Sequence, residues 1–111
     1  MSKIFCFDID GTICTLTEDN IYKNAEPYAD AVTEVNRLYD EGNTILMMTA
    51  RGSVSGKDAT DLTTNQLKSW GIKYHKLIMN QKPHADFFID DKAINAVEWR
   101  EDIKNYSTNK K

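Results

Sequence analysis

Apolar positions recur along this chain with two different periods. Residues 3–9 are a nearly unbroken apolar run that closes on acid, Ile4-Phe5-Cys6-Phe7-Asp8-Ile9-Asp10. Such a run reads as a first strand, buried on both faces as in a parallel sheet. Residues 11–26 show no clean period and read as a turn followed by a loop or a small hairpin. Pro27 then opens a helix, where its missing N–H costs nothing. Tyr28, Ala31, Val32, Val35, Leu38 and Tyr39 fall at steps of three and four, which puts them on one apolar face. Gly42 ends that helix in the C′ role.

Residues 44–48 read as a second short buried strand ending at Thr49, and residues 50–57 as a polar loop. A second helix is expected over 60–70, with Leu62, Leu67 and Trp70 inward and Gly71 as its stop. Residues 74–79 are a third strand, 80–84 a loop carrying Lys82, and Phe87, Phe88 and Ile89 a fourth strand ending in Asp90 and Asp91. A last helix covers 93–103, with Ile94, Val97 and Ile103 as its apolar positions.

That order, β, α, β, α, β, β, α, predicts a Rossmann-like three-layer α/β/α fold with a mostly parallel sheet covered by helices. In such sheets ligands bind beyond the carboxyl ends of the strands. At 111 residues the chain suits one domain over 1–111, with a core that needs no staples.

Composition narrows the partners. Charged residues make up 28% and hydrophobic ones 41%, the mix of a soluble globular protein, and no apolar run is long enough to span a bilayer. The net charge of −3 and pI near 5.3 predict no general affinity for nucleic acid or for a membrane surface. Two cysteines make neither a zinc pattern nor a disulfide framework, so a reducing cytoplasm is expected. Cys6, inside the apolar run, is expected to pack as a small hydrophobe, and Cys14 to be partly exposed.

The candidate chemistry lies at the predicted strand ends. Asp8 and Asp10 close the first strand, Thr49 the second, and Asp90 and Asp91 the fourth, with Lys82 in the loop between the third and fourth. Parallel strands would bring all of them to one edge. Four clustered carboxylates are unfavourable unless a cation neutralises them. A hard divalent ion fits, and Mg²⁺ accepts few protein ligands and keeps several waters. With Thr and Lys beside it, such an ion makes a site for a phosphoryl group. A carboxylate in line with phosphorus can attack it, and a second can serve the leaving oxygen. In an extended segment residues i and i+2 share a side, which accounts for the spacing of Asp8 and Asp10. Gly11 permits the sharp turn after them.

"DIDGT", Thr49 after an apolar strand, Lys82, and "DD" after an apolar strand resemble, in order, the four motifs of the haloacid dehalogenase-like (HAD) phosphohydrolases. The resemblance runs from Ile4 to about Ala93. It implies Asp8 as nucleophile, Asp10 as general acid/base, and Thr49 and Lys82 as phosphate ligands; Gly11, Thr12 and Arg51 are further candidates to bind the substrate. It implies Mg²⁺ held by Asp8, the backbone carbonyl of Asp10, and Asp90, with Asp91 supporting or sharing. The remaining pattern, "TARG", "SGKD", "QLKSWG", "YHKL" and "FIDD", resembles a small branch linked to capsule or surface-polysaccharide biosynthesis. Caps in this superfamily are inserted after the first motif or between the second and third. Here both intervals are consumed by a loop, a helix and a strand, so a capless member is expected.

The expected activity is thus Mg²⁺-dependent hydrolysis of a phosphomonoester through an aspartyl-phosphate. The substrate class would be a sugar phosphate or a phosphorylated glycan or nucleotide-sugar-linked intermediate. A subunit of an oligomer would supply a lid if one exists. The alternatives are a phosphotransferase of the same superfamily and a receiver-like phospho-accepting module. A receiver takes phosphate on an Asp after a mid-chain strand, and here Thr49 occupies that place. Arg51 reads equally as a contact for a substrate anion or as a solvated loop charge. His75 and His84 read as structural or exposed, Trp70 and Trp99 as packing residues, and Glu18, Asp19 and Lys23 as solvated.

Overall fold

The computed structural model describes residues 2–18, 21–51, 58–79 and 85–109. Three strands, β1 (Ile4–Asp8), β2 (Thr44–Thr49) and β3 (Lys76–Met79), form one parallel sheet in the order β1-β2-β3. Ile4 pairs with Thr44 and Asp8 with Met48; Leu46 pairs with Lys76 and Thr49 with Met79. Parallel neighbours need crossover connections. Helices α1 (Ala29–Asp40) and α2 (Thr60–Ser69) supply them. A third helix, α3 (Ala96–Asn109), follows. Among the described residues no domain is inserted between β1 and β3, so the α/β architecture carries no cap.

Helix α1 follows its sequence pattern. Ala31, Val35 and Leu38, at steps of four and three, are its buried positions. It starts two residues past Pro27, with Tyr28 extended at its N-cap. Gly42 and Gly71 take φ of 97° and 73° just past α1 and α2, a conformation that favours glycine. Residues 13–15 pair back onto 26–28, with Thr15 N–H on Glu26 O at 2.9 Å and Tyr28 N–H on Ile13 O at 2.8 Å. The irregular stretch after β1 is therefore a small antiparallel loop, with a 3₁₀ turn, Tyr22–Asn24, inside it.

Several expectations need correction. Residues 87–89 form no strand, and Phe87 and Ile89 are 85% and 99% exposed. Three apolar residues between Asp86 and Asp90 offer few ladder bonds to repay ordering the chain. Strand β1 is not buried on both faces. Phe7 is buried, but Ile4 and Cys6 are exposed. Cys14, expected nearer the surface, is completely buried, because the small loop folds it under the turn.

The buried positions of α2 are Thr63, Gln66 and Leu67, while Leu62 faces out. Two polar side chains occupy the inner face because both accept from the buried guanidinium of Arg51. In the last helical region Ile94 and Val97 are exposed. Trp99 packs instead, its ring 5.2 Å from that of Phe7. Arg100 lies 3.7 Å over the Tyr28 ring and pairs with Asp30 at 3.2 Å.

Candidate active site at the strand ends

Since the strands run parallel, β1 and β2 deliver Asp8 and Thr49 to the same edge of the sheet. Asp8 is half-buried, and its Oδ1 accepts the N–H of Ile9 at 2.9 Å. The chain then turns sharply. The Ile9 carbonyl accepts N–H groups from Thr12 (3.1 Å), Ile13 (2.9 Å) and Cys14 (3.4 Å), and Gly11 donates to the Cys14 carbonyl at 2.8 Å. Gly11 has φ of 84°, the left-handed region, and a Cβ there would meet Leu16 at 3.3 Å. Gly11 and Thr12, expected near substrate, thus spend their N–H groups on the turn that aims Asp10.

Asp10 is gripped by Arg51. Arg51 Nε donates to Asp10 Oδ2 and Nη2 donates to Oδ1, each at 2.9 Å. Nη1 donates to Thr63 Oγ1 at 3.0 Å and to Gln66 Oε1 at 2.5 Å, and Nη2 also reaches Cys14 Sγ at 3.9 Å. The guanidinium lies 4.7 Å over the Tyr22 ring. Arg51 is 1% exposed. It is no solvated loop charge, and its donors are already engaged by the protein, leaving none to meet a substrate anion. The signal that could have found this is on α2, where Thr63 and Gln66 are three apart on one face and polar.

Thr49 is fully buried, and its Oγ1 accepts the Arg51 N–H at 3.1 Å. Its own hydroxyl proton is not used in that bond, so the group keeps the capacity to donate. The Cys14 thiol donates toward Asp10 Oδ1 at 3.6 Å. Burial, then the neighbouring Asp10 charge, push that thiol up from 9.0 to about 12. Burial and then Asp10 also raise the Tyr22 phenol above its ordinary value, opposed by Arg51. Both groups stay protonated and neutral at physiological pH.

Lys82 and His84 lie outside the described residues. Asp90 and Asp91 are exposed, and Asp90 Oδ1 accepts the Lys92 N–H at 2.9 Å, which lowers its pKa. Among the described residues no three acidic, histidine or cysteine side chains are gathered as a metal site. Asp8, the Asp10 carbonyl, Asp90 and Asp91 are hard oxygen donors that suit Mg²⁺ in kind.

No family model and no curated protein matches the chain. Solved structures do. A structural-genomics target from Vibrio cholerae superposes with a TM-score of 0.77 at 24% identity, over 100% of both chains. D,D-heptose 1,7-bisphosphate phosphatase from B. bronchiseptica, solved with magnesium and phosphate, gives 0.54 at 18% identity, over 95% of this chain and 64% of that one. A chain of the Pnkp1/Rnl/Hen1 RNA repair complex gives 0.55 at 15% identity, over 99% of this chain and 32% of that one. The fold is HAD-like.

Proposed function

We propose that the chain is a Mg²⁺-dependent phosphomonoester hydrolase that works through an aspartyl-phosphate on Asp8. The observation that carries this reading is the convergence of Asp8, Asp10 and Thr49 at one sheet edge, with Gly11 turning the chain between the acids and the loop. The likeness in fold to a sugar bisphosphate phosphatase solved with magnesium and phosphate supports it.

Asp8 Oδ attacks phosphorus and forms the acyl phosphate as the ester P–O bond breaks. Asp10 gives its proton to the departing oxygen. In the second step water attacks the phosphorus of phospho-Asp8, Asp10 takes the proton from that water, and the Asp8 carboxylate leaves. The fork from Arg51 takes one lone pair on each Asp10 oxygen, and a carboxyl group has roughly four such sites, so room for the proton remains. Thr49 donates to a phosphoryl oxygen, and Lys82 neutralises its charge. Bound Mg²⁺, with Asp8, the Asp10 carbonyl, Asp90 and Asp91 as its donors, would screen the phosphoryl charge.

The substrate in this reading is a sugar phosphate or a phosphorylated glycan or nucleotide-sugar-linked intermediate of surface-polysaccharide synthesis. Without a cap the strand ends form an open edge, and a large substrate supplies remote binding energy that a small one lacks. Purified protein with Mg²⁺ is to be screened against a panel of phosphorylated sugars and conjugates, reading free phosphate. Turnover of at least one sugar-linked ester is expected. Release of phosphate from none of them removes the proposal.

A further inference from the structure

We propose that Arg51 is a positioning residue, one that aims the Asp10 carboxyl for both proton transfers and is itself aimed by Thr63 and Gln66 of α2. The proposal rests on the phosphatase reading above and deepens it.

A buried arginine is costly. Taking a guanidinium out of water loses several kcal/mol that only well-aimed partners recover. Arg51 sits on a loop, directly after a strand end, where solvent would be the default. It is instead 1% exposed, with its donors met by Asp10, Thr63, Gln66 and Cys14. The Asp10 side chain itself keeps 19% exposure, so the fork holds it without sealing it off.

The geometry is that of two parallel N–H···O bonds. Such a fork fixes the plane of the carboxylate as well as its distance, which a lysine could not do. The anchors behind the fork are equally specified. Thr63 and Gln66 are buried on α2 at three-residue spacing. Gln66 bridges onward, its Nε2 donating to the Tyr22 carbonyl at 2.6 Å while its Oε1 accepts from Arg51. Tyr22 closes the other face of the guanidinium. A carboxyl group free to rotate about χ2 would hand its proton to the leaving oxygen in only a fraction of encounters. One held from behind presents the same lone pair each time.

The consequence is selective. An alkyl ester must receive a proton as its P–O bond breaks, because an alkoxide is a poor leaving group. A p-nitrophenolate leaves without one. Positioning of Asp10 therefore matters for the first ester and little for the departure step of the second.

The test compares kcat/KM for an alkyl sugar phosphate and p-nitrophenyl phosphate, both with Mg²⁺, in the native protein and in Arg51→Gln, Arg51→Lys and Thr63→Val. General acid–base catalysis is worth about 10²–10⁴-fold, so Arg51→Gln is expected to lose about 100-fold or more on the alkyl ester. The loss on the aryl ester is expected to be at least about tenfold smaller. Arg51→Lys keeps the charge and loses the fork, and does not restore the alkyl ester. Thr63→Val keeps the size of the side chain and shows the same selectivity on a smaller scale, so it decides the matter if the Arg51 variants do not fold. Equal losses on both esters, or restoration by lysine, overturn the positioning role while leaving the phosphatase reading intact. Native protein that hydrolyses neither ester, nor any member of the panel above, overturns the phosphatase reading, and the role of Arg51 with it.

Discussion

His75 and Ile45 exchange two hydrogen bonds. His75 N–H donates to the Ile45 carbonyl at 2.8 Å, and Ile45 N–H donates to His75 Nδ1 at 3.0 Å. An imidazole thus stands in for a backbone carbonyl one residue before β3 begins. The ring also stacks on Tyr39, with centroids 4.6 Å apart, and so ties the end of α1 to the sheet.

Removing the imidazole strands a buried amide. Ile45 is fully buried, and in His75→Ala its N–H loses its acceptor. An unsatisfied buried donor costs about 1–3 kcal/mol, and the lower half of that range applies because His75 itself is exposed. Urea unfolding followed by circular dichroism should show a lower midpoint with unchanged m. A midpoint within error of the native value contradicts the pairing.

Gly11 carries backbone strain for any other residue. At φ of 84° a side chain costs about 1–2 kcal/mol, before Leu16 gives way to the new Cβ. Gly11→Ala should therefore unfold at lower denaturant and also lose activity, because the turn it opens holds Asp10 against Arg51. Native-like stability in this variant contradicts the turn described here.

The two thiols should behave oppositely. Ellman's reagent should react promptly with the exposed Cys6 and reach the buried Cys14 only after denaturant is added. Prompt reaction of both thiols in the native protein contradicts the packing of the loop over Cys14. The Cys14 thiol is also pushed up from 9.0 to about 12 in the folded state. A proton held more tightly in the folded state than in the unfolded one adds stability below pH 9.0. That contribution disappears as pH rises from there toward 12. In Cys14→Ser the buried hydroxyl does not titrate there, so part of the alkaline loss of stability should vanish.

Chelation tests the metal. EDTA should abolish phosphate release and Mg²⁺ should restore it. Mg²⁺ should also raise the melting temperature of the native protein, since it binds the folded site and not the unfolded chain. Asp8→Asn and Asp90→Ala should each reduce that rise. Undiminished turnover after dialysis against chelator excludes the proposed role of Mg²⁺.

The parallel sheet, α1 and the capless order of elements were legible in the sequence because their apolar periods are long and clean. Ala31, Val35 and Leu38 repeat over two turns, and Ile45 to Met48 of β2 is an apolar run without a break. The ends of the chain were less legible. Phe87-Phe88-Ile89 has a strand's composition without a strand's length, and Ile94 and Val97 gave an apolar face that Trp99 and Arg100 take instead. At the candidate site, the acids and Thr49 could be read from their places at strand ends. The partner of Asp10 could not. Arg51 lies 41 positions away in sequence, and its anchors Thr63 and Gln66 are polar residues on a buried face, where apolar periodicity is silent. The exchange of Cys6 and Cys14 between surface and core has the same origin, because a loop closing on itself buries residues without any period.

The central claim is that phosphate passes through Asp8. The most direct measurement is to quench the enzyme in acid during turnover of a reactive phosphate ester, reduce the acyl phosphate with borohydride, and locate the reduced side chain by peptide mass spectrometry. The account predicts reduction at Asp8, dependent on both Mg²⁺ and substrate, and absent from Asp8→Asn. Reduction at another carboxylate, or full turnover by folded Asp8→Asn, would contradict it.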